Sequence, residues 1–173
     1  MRINYACGKQ TWDGWYCIDA VRHPKATRDP DLLHVLEFDS QGNLAQLTPL
    51  PDSGATELHS YHFLEHVYQW QAPALVREWY RLLKAGGQLV LELPNLAAAC
   101  KNMLAGMNDQ MVMFPLYGDP SHKDPFMCHR WAYTPATVKA LLEANGFAKV
   151  KILPPQTHGR RVNRDMRVEA VKS

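Results

Sequence analysis

No two cysteines in this 173-residue chain are spaced C-x-x-C; Cys7, Cys17, Cys100 and Cys128 lie far apart. The scatter excludes a zinc ribbon or a dithiol redox motif and points to buried, reduced thiols in a cytoplasmic setting. Excess charge is lacking too. The net charge of +2 gives no electrostatic argument for a nucleic-acid or membrane partner, and no basic stripe interleaved with aromatics appears. No apolar run reaches the roughly 18 residues of a membrane span. The first residues enter Arg2-Ile-Asn-Tyr-Ala6 directly, without a signal-peptide pattern. Internal repeats and low-complexity tracts are missing. What remains, 46% apolar and 21% charged residues, is the balance of one globular domain spanning residues 1–173.

Short apolar runs alternate with helical patterns. Ile3–Ala6, Tyr16–Ala20, Leu32–Phe38 and Glu57–Tyr61 read as strands, and Phe63–Trp70 reads as a short helix. Pro73 suits the first turn of the next helix, and Gly86-Gly87 is the stop signal for it. Leu89–Leu93 follows as a strand ended by Pro94, then a helix over Ala97–Leu104. Thr134-Pro135 forms a cap and first turn, and Val138, Leu141 and Leu142 give one apolar face before Asn145-Gly146. Lys149–Leu153 and Arg167–Val171 alternate as an antiparallel closing pair. The pattern predicts an α/β, Rossmann-like fold with a mostly parallel sheet of about seven strands. Only Cys7–Trp15 separates the first two strands, and Val21–Asp31 is broken by prolines. A parallel crossover normally needs a dozen or more residues, so the early helices must be trimmed.

In open α/β sheets ligands sit at the carboxyl ends of the strands, where strand order reverses. Tyr5-Ala6-Cys7-Gly8 leaves the first strand there, and a small residue and a glycine let backbone approach a ligand. Asp19 ends the second strand, where an acid can accept both hydroxyls of a ribose. Asp39 ends the third; it can reach an adenine amino group or simply cap the turn Asp39-Ser-Gln-Gly.

These runs, with Leu-Thr-Pro-Leu-Pro-Asp-Ser53, Ser60-Tyr-His-Phe-Leu-Glu-His-Val67 and Arg77-Glu-Trp-Tyr-Arg-Leu-Leu-Lys-Ala-Gly-Gly87, resemble class I S-adenosylmethionine-dependent methyltransferases. The resemblance covers about residues 2–153 and is strongest to the small branch met in sugar and cell-envelope gene neighbourhoods. It implies S-adenosylmethionine as cofactor, with Ala6, Cys7 and Gly8 along its methionine part, Asp19 on the ribose, Asp39 near the adenine and His62 facing the sulfonium. Two positions depart from the family pattern: Ala6 stands where glycine is usual, and Ser53-Gly-Ala-Thr56 replaces Asn-Ser-Phe-Asp.

The connection Asn95–Tyr133 is long for a compact domain and reads as a substrate-side lid. It carries Tyr117, His122 and His129, the candidate catalytic residues for deprotonating or positioning a small-molecule or glycan-precursor acceptor at oxygen or nitrogen. Two alternatives remain open. The trimmed helices and Ala6 fit a non-catalytic binding module, and a missing N-terminal cover would suit a homodimer. His62-Phe-Leu-Glu-His66 also spells the H-x-x-E-H of an inverted zinc-protease helix. That reading needs a further acidic ligand on a helix, whereas Glu92 falls on a strand and Glu143 in an ordinary amphipathic helix. No metal is expected on this account.

Overall fold

The computed structural model describes residues 1–157 and 161–173. Its strands are β1 (Arg2–Tyr5), β2 (Tyr16–Asp19), β3 (Leu32–Leu33), β4 (Ala55–Tyr61), β5 (Leu83–Pro94), β6 (Phe147–Leu153) and β7 (Asp165–Lys172). The helices are α1 (Ala72–Leu82), α2 (Leu96–Leu104), α3 (Asp109–Tyr117) and α4 (Pro135–Ala144). One sheet runs in the order β3-β2-β1-β4-β5-β7-β6. Pairs from β3 to β5 are parallel, and β7 lies antiparallel to both β5 and β6. This is the expected α/β, Rossmann-like sheet of seven strands with an antiparallel close.

The two sheet faces differ because each strand alternates. Ile3, Tyr5, Leu58, Leu89, Leu91, Leu93, Val168 and Ala170 join one core cluster with Leu75, Val76, Trp79 and Leu82 of α1 and Val138 and Leu142 of α4. The opposite register holds Arg2, His59, Tyr61, Glu92, Arg167 and Glu169. There Trp12 and Trp15, from the short β1–β2 connection, pack edge-on against His59 at 5.8 and 4.6 Å, and Arg2 lies 4.8 Å from the Trp15 ring. Arg167 reaches Glu92 and Glu169 beside them. The trimmed crossover is thus replaced by aromatic side chains over a polar sheet face, with no helix in residues 6–15.

Four element readings need correction. The expected Phe63–Trp70 helix is a single 3₁₀ turn, Leu64–His66. The carbonyls it would use to continue are taken from outside: Arg130 and Trp131 donate backbone N–H to Glu65, and Arg130 Nη1 donates to the His66 carbonyl at 2.8 Å. The strand expected over Leu32–Phe38 pairs only at Leu32–Leu33, and beyond it Phe38 forms one bridge to Leu44. Helix α1 stops at Leu82, before Gly86-Gly87, and β5 begins at once. The glycines instead sit in a bulge where pairing jumps from Ala55↔Leu83 to Glu57↔Gln88; a Cβ on Gly87 would meet the Lys84 carbonyl oxygen at 2.8 Å. Finally, the lid contains a second helix, α3, with Pro115 inside it. A proline has no N–H for the carbonyl four residues back, and Asn102 Nδ2 donates to that Met111 oxygen at 3.2 Å.

Candidate active site

The central strand β1 pairs with β2 on one side and β4 on the other, so strand order reverses at its carboxyl end. The chain leaves β1 through two left-handed residues, Ala6 (φ 56°) and Gly8 (φ 53°). Cys7 N–H donates to the Ile18 carbonyl at 3.0 Å, and Asn4 Nδ2 donates to the Gln10 carbonyl at 2.6 Å, holding the loop in a hook. Gly8 N–H donates to Asp19 Oδ2 at 2.6 Å, and Val21 N–H to Oδ1 at 3.2 Å. A Cβ on Gly8 would find nothing within 4 Å, so open space faces the loop where a ligand backbone contact is needed. Each Asp19 oxygen keeps a lone pair for a ribose hydroxyl. Ala6, Cys7, Gly8 and Asp19 therefore form one cradle that fits a nucleoside cofactor.

Three other candidates are placed differently. The Tyr5 side chain is buried, with its hydroxyl 3.2 Å from Thr48 Oγ1 and its ring 6.1 Å from those of Phe63 and Trp79. Only its backbone lies at the edge. Asp39 is exposed and caps its own turn, accepting from the N–H groups of Gln41 and Asn43 at 2.9 Å each. These bonds hold its carboxyl below the usual carboxylate range. Cys7 is buried, and burial with the Asp19 charge pushes its thiol up to about 12, so it serves as a packed neutral group.

His62 follows β4 at φ 53°, its N–H bonded to the Glu92 carbonyl at 2.7 Å. Its ring is held between carboxylates, Nδ1 3.2 Å from Glu65 Oε1 and Nε2 3.5 Å from Asp165 Oδ2, with Arg161 Nη1 3.3 Å away. Burial alone would pull the imidazolium down, but the Glu65 bond and the Glu65 and Asp165 charges outweigh it and raise the pKa. His62 and His66 do not share an α-helical face, because the residues between them form only the 3₁₀ turn. The inverted zinc-protease helix is therefore not built.

The lid meets that turn directly. His129 Nδ1 lies 2.9 Å from the Pro115 carbonyl, and its N–H donates to the Tyr117 carbonyl at 3.2 Å. Its ring stands edge to face with His66 at 4.9 Å. Tyr117 points its ring to solvent at 65% exposure, and His122 is exposed farther along the connection. The fold thus joins His129 to Glu65 and His66, and leaves Tyr117 and His122 outside. The sequence reading missed Glu65's place here; a buried carboxylate between two histidines is visible only once the lid is folded. A concavity of about 290 Å³ between α1 and residues 43–47 is lined by none of these residues.

Among the described residues no helix is long and apolar enough to cross a membrane. Residues 17–91 match the family model described as a methyltransferase domain. A S-adenosylmethionine-dependent methyltransferase from Archaeoglobus fulgidus is similar in structure at 18% identity, with a TM-score of 0.62 over 98% of this chain and 85% of that one. One from Thermotoga maritima, described as a possible histamine N-methyltransferase, is 13% identical with a TM-score of 0.60 over 99% and 81%. One from Methanosarcina mazei is 14% identical with a TM-score of 0.57 over 98% and 91%. No curated protein matches the sequence. The chain thus has the fold of S-adenosylmethionine-dependent methyltransferases over almost its whole length, and its residues 17–91 match the methyltransferase-domain family.

Proposed function

We propose that the protein transfers the methyl group of S-adenosylmethionine to an oxygen or nitrogen of a small or carbohydrate-like acceptor. The observation that carries this reading is the Ala6–Gly8 hook tied to Asp19 at the strand-order reversal. Asp19 would accept the ribose hydroxyls, and the backbone at Cys7 and Gly8 would lie along the methionine part. The bound cofactor supplies an electrophilic methyl on a sulfonium. The chain's share of the work is to place the acceptor in line with that methyl and to shield the site from water. The lid supports this, since it reaches back to Glu65 and His66 through His129, Arg130 and Trp131. His129 is favoured over His122 and Tyr117 as the residue facing the acceptor, because only it is packed against the turn after β4. The acceptor class itself rests on the sequence resemblance, and a homodimer that covers the helix-poor start is part of the same proposal.

The test is calorimetric titration of S-adenosylmethionine, followed by a screen of hydroxyl- and amine-bearing small acceptors for S-adenosylhomocysteine release. Binding with release on a sugar or small amine is the expected result. Tight binding with no release on any acceptor class would favour a binding module, and absence of binding would reject the cofactor assignment.

A further inference from the structure

Glu65 is 1% exposed, yet its Oε2 has no hydrogen-bond partner among the described residues. Among the described residues its Oε1 meets His62 Nδ1, and no lysine or arginine forms an ion pair with it. A buried carboxylate that is half satisfied costs free energy unless a cation or proton donor completes it. Two histidines lie beside it, and an ion shared with them would supply that cation. His66 has Nδ1 3.2 Å from the Cys128 carbonyl, and His129 has Nδ1 2.9 Å from the Pro115 carbonyl. A carbonyl can only accept, so each Nδ1 carries a proton and, in the neutral ring, each Nε2 is left with a free lone pair. That is how metal-binding imidazoles are commonly oriented, by a main-chain acceptor behind the ring. A donor atom of Glu65, one of His66 and one of His129 all lie within 4.8 Å of one another.

We propose that Glu65, His66 and His129 bind one divalent transition-metal ion, with a remaining coordination position open to water or a substrate oxygen. Metal–ligand bonds of about 2.0–2.2 Å place tetrahedral donors roughly 3.4 Å apart, so the three side chains close by about an ångström on binding. Glu65 is fixed by burial, while the two half-buried imidazoles can make that adjustment. Two imidazoles and one carboxylate suit zinc, iron or manganese better than calcium or magnesium, which prefer oxygen-only sets. The set differs from the H-x-x-E-H spelling, since His62 stays with Glu65 Oε1 and Asp165 while the lid contributes the third ligand. His129 therefore meets an acceptor through the ion rather than as a free base, and the ion ties the lid to the turn after β4. Metal binding does not depend on methyl transfer, and it can be read without cofactor or acceptor.

The full chain, stripped by chelator, is titrated with zinc by calorimetry and with cobalt(II) by visible absorption. One equivalent of either ion is expected, with zinc raising the melting temperature. His129→Ala and His66→Ala each weaken binding by about a hundredfold or more. His122→Ala and Cys128→Ser keep it, and the cobalt spectrum lacks a thiolate charge-transfer band. Absence of stoichiometric binding, unchanged affinity in His129→Ala, or a thiolate band lost in Cys128→Ser would overturn the proposal and leave a hydrogen-bonded Glu–His cluster. Circular dichroism checks that each variant is folded; if one is not, the cobalt spectrum of the unmutated chain decides.

Discussion

His59 shows how much one buried side chain contributes at this edge. Its Nδ1 meets the Tyr61 hydroxyl at 2.8 Å and it lies beneath Trp12 and Trp15. Burial, helped by the nearby Arg167 charge, lowers its pKa to about 4 from 6.5. The unfolded chain therefore binds more protons between these values. Stability is unaffected above about pH 6.5 and falls as pH drops toward 4, by up to about 3 kcal/mol. Urea unfolding across that window should show the loss, and His59→Gln should flatten it. His62 titrates the opposite way because its pKa is raised, so the comparison of the two proteins isolates His59. Ala6 is a second residue with a measurable strain. At φ 56° a Cβ costs roughly 1 kcal/mol that glycine avoids, partly offset by the greater freedom of an unfolded glycine. Ala6→Gly should leave stability equal or up to about 1 kcal/mol higher in chemical denaturation; a clear loss would contradict the strain assignment.

Among the elements, α1 does more than cover the core. Its buried Glu78 accepts from Arg81 Nε and Nη2 at 2.7 Å each and from the Thr48 N–H at 2.9 Å. Arg81 in turn donates to the Thr48 and Leu50 carbonyls at 2.9 Å, binding the irregular segment before β4 to the helix. Removing Glu78 takes three hydrogen bonds from this network and leaves the Thr48 N–H without its acceptor, while Arg81 keeps Asp52 and the two carbonyls; the loss is on the order of 2–3 kcal/mol. Glu78→Ala should therefore lower the denaturation midpoint strongly, and Lys139→Ala, whose partner Glu143 is equally exposed, should change it by well under 1 kcal/mol. The same elements show what sequence could reveal. Strands β1, β2, β4 and β5 and helix α4 announce themselves through short apolar runs, Pro94 and the Thr134-Pro135 cap, because local chemistry determines them. The 3₁₀ turn after β4, the two-residue β3 and the glycine bulge of β5 do not. Each is settled by a partner far along the chain, such as Arg130 on Glu65 or Ala55 opposite Leu83. Helix α3 was hidden by Pro115, whose missing donor is compensated by Asn102 from another helix.

At the scale of the whole molecule, the sheet presents the carboxyl ends of its parallel strands where strand order reverses. The positions of Asp19 and Gly8 at the strand ends were legible because strand-end acids and post-strand glycines have a backbone reason for being there. Tyr5 and Asp39 illustrate the limit: sequence places a residue at a strand end but not the direction of its side chain. Tyr5 turns into the core against Trp79, and Asp39 is occupied by its own turn. The placement of His129 beside Glu65 and His66 was not legible, since it depends on how residues 95–133 fold back. The central claim is that the loop from Ala6 to Gly8, fastened by Asp19, holds S-adenosylmethionine. Its most direct measurement is calorimetric titration of the cofactor into the unmutated chain and into Asp19→Ala. One-to-one binding, weakened at least about tenfold by Asp19→Ala for a lost pair of charge-assisted hydrogen bonds, is the predicted result. Absence of binding to the unmutated chain, or equal affinity in the two proteins, would contradict it.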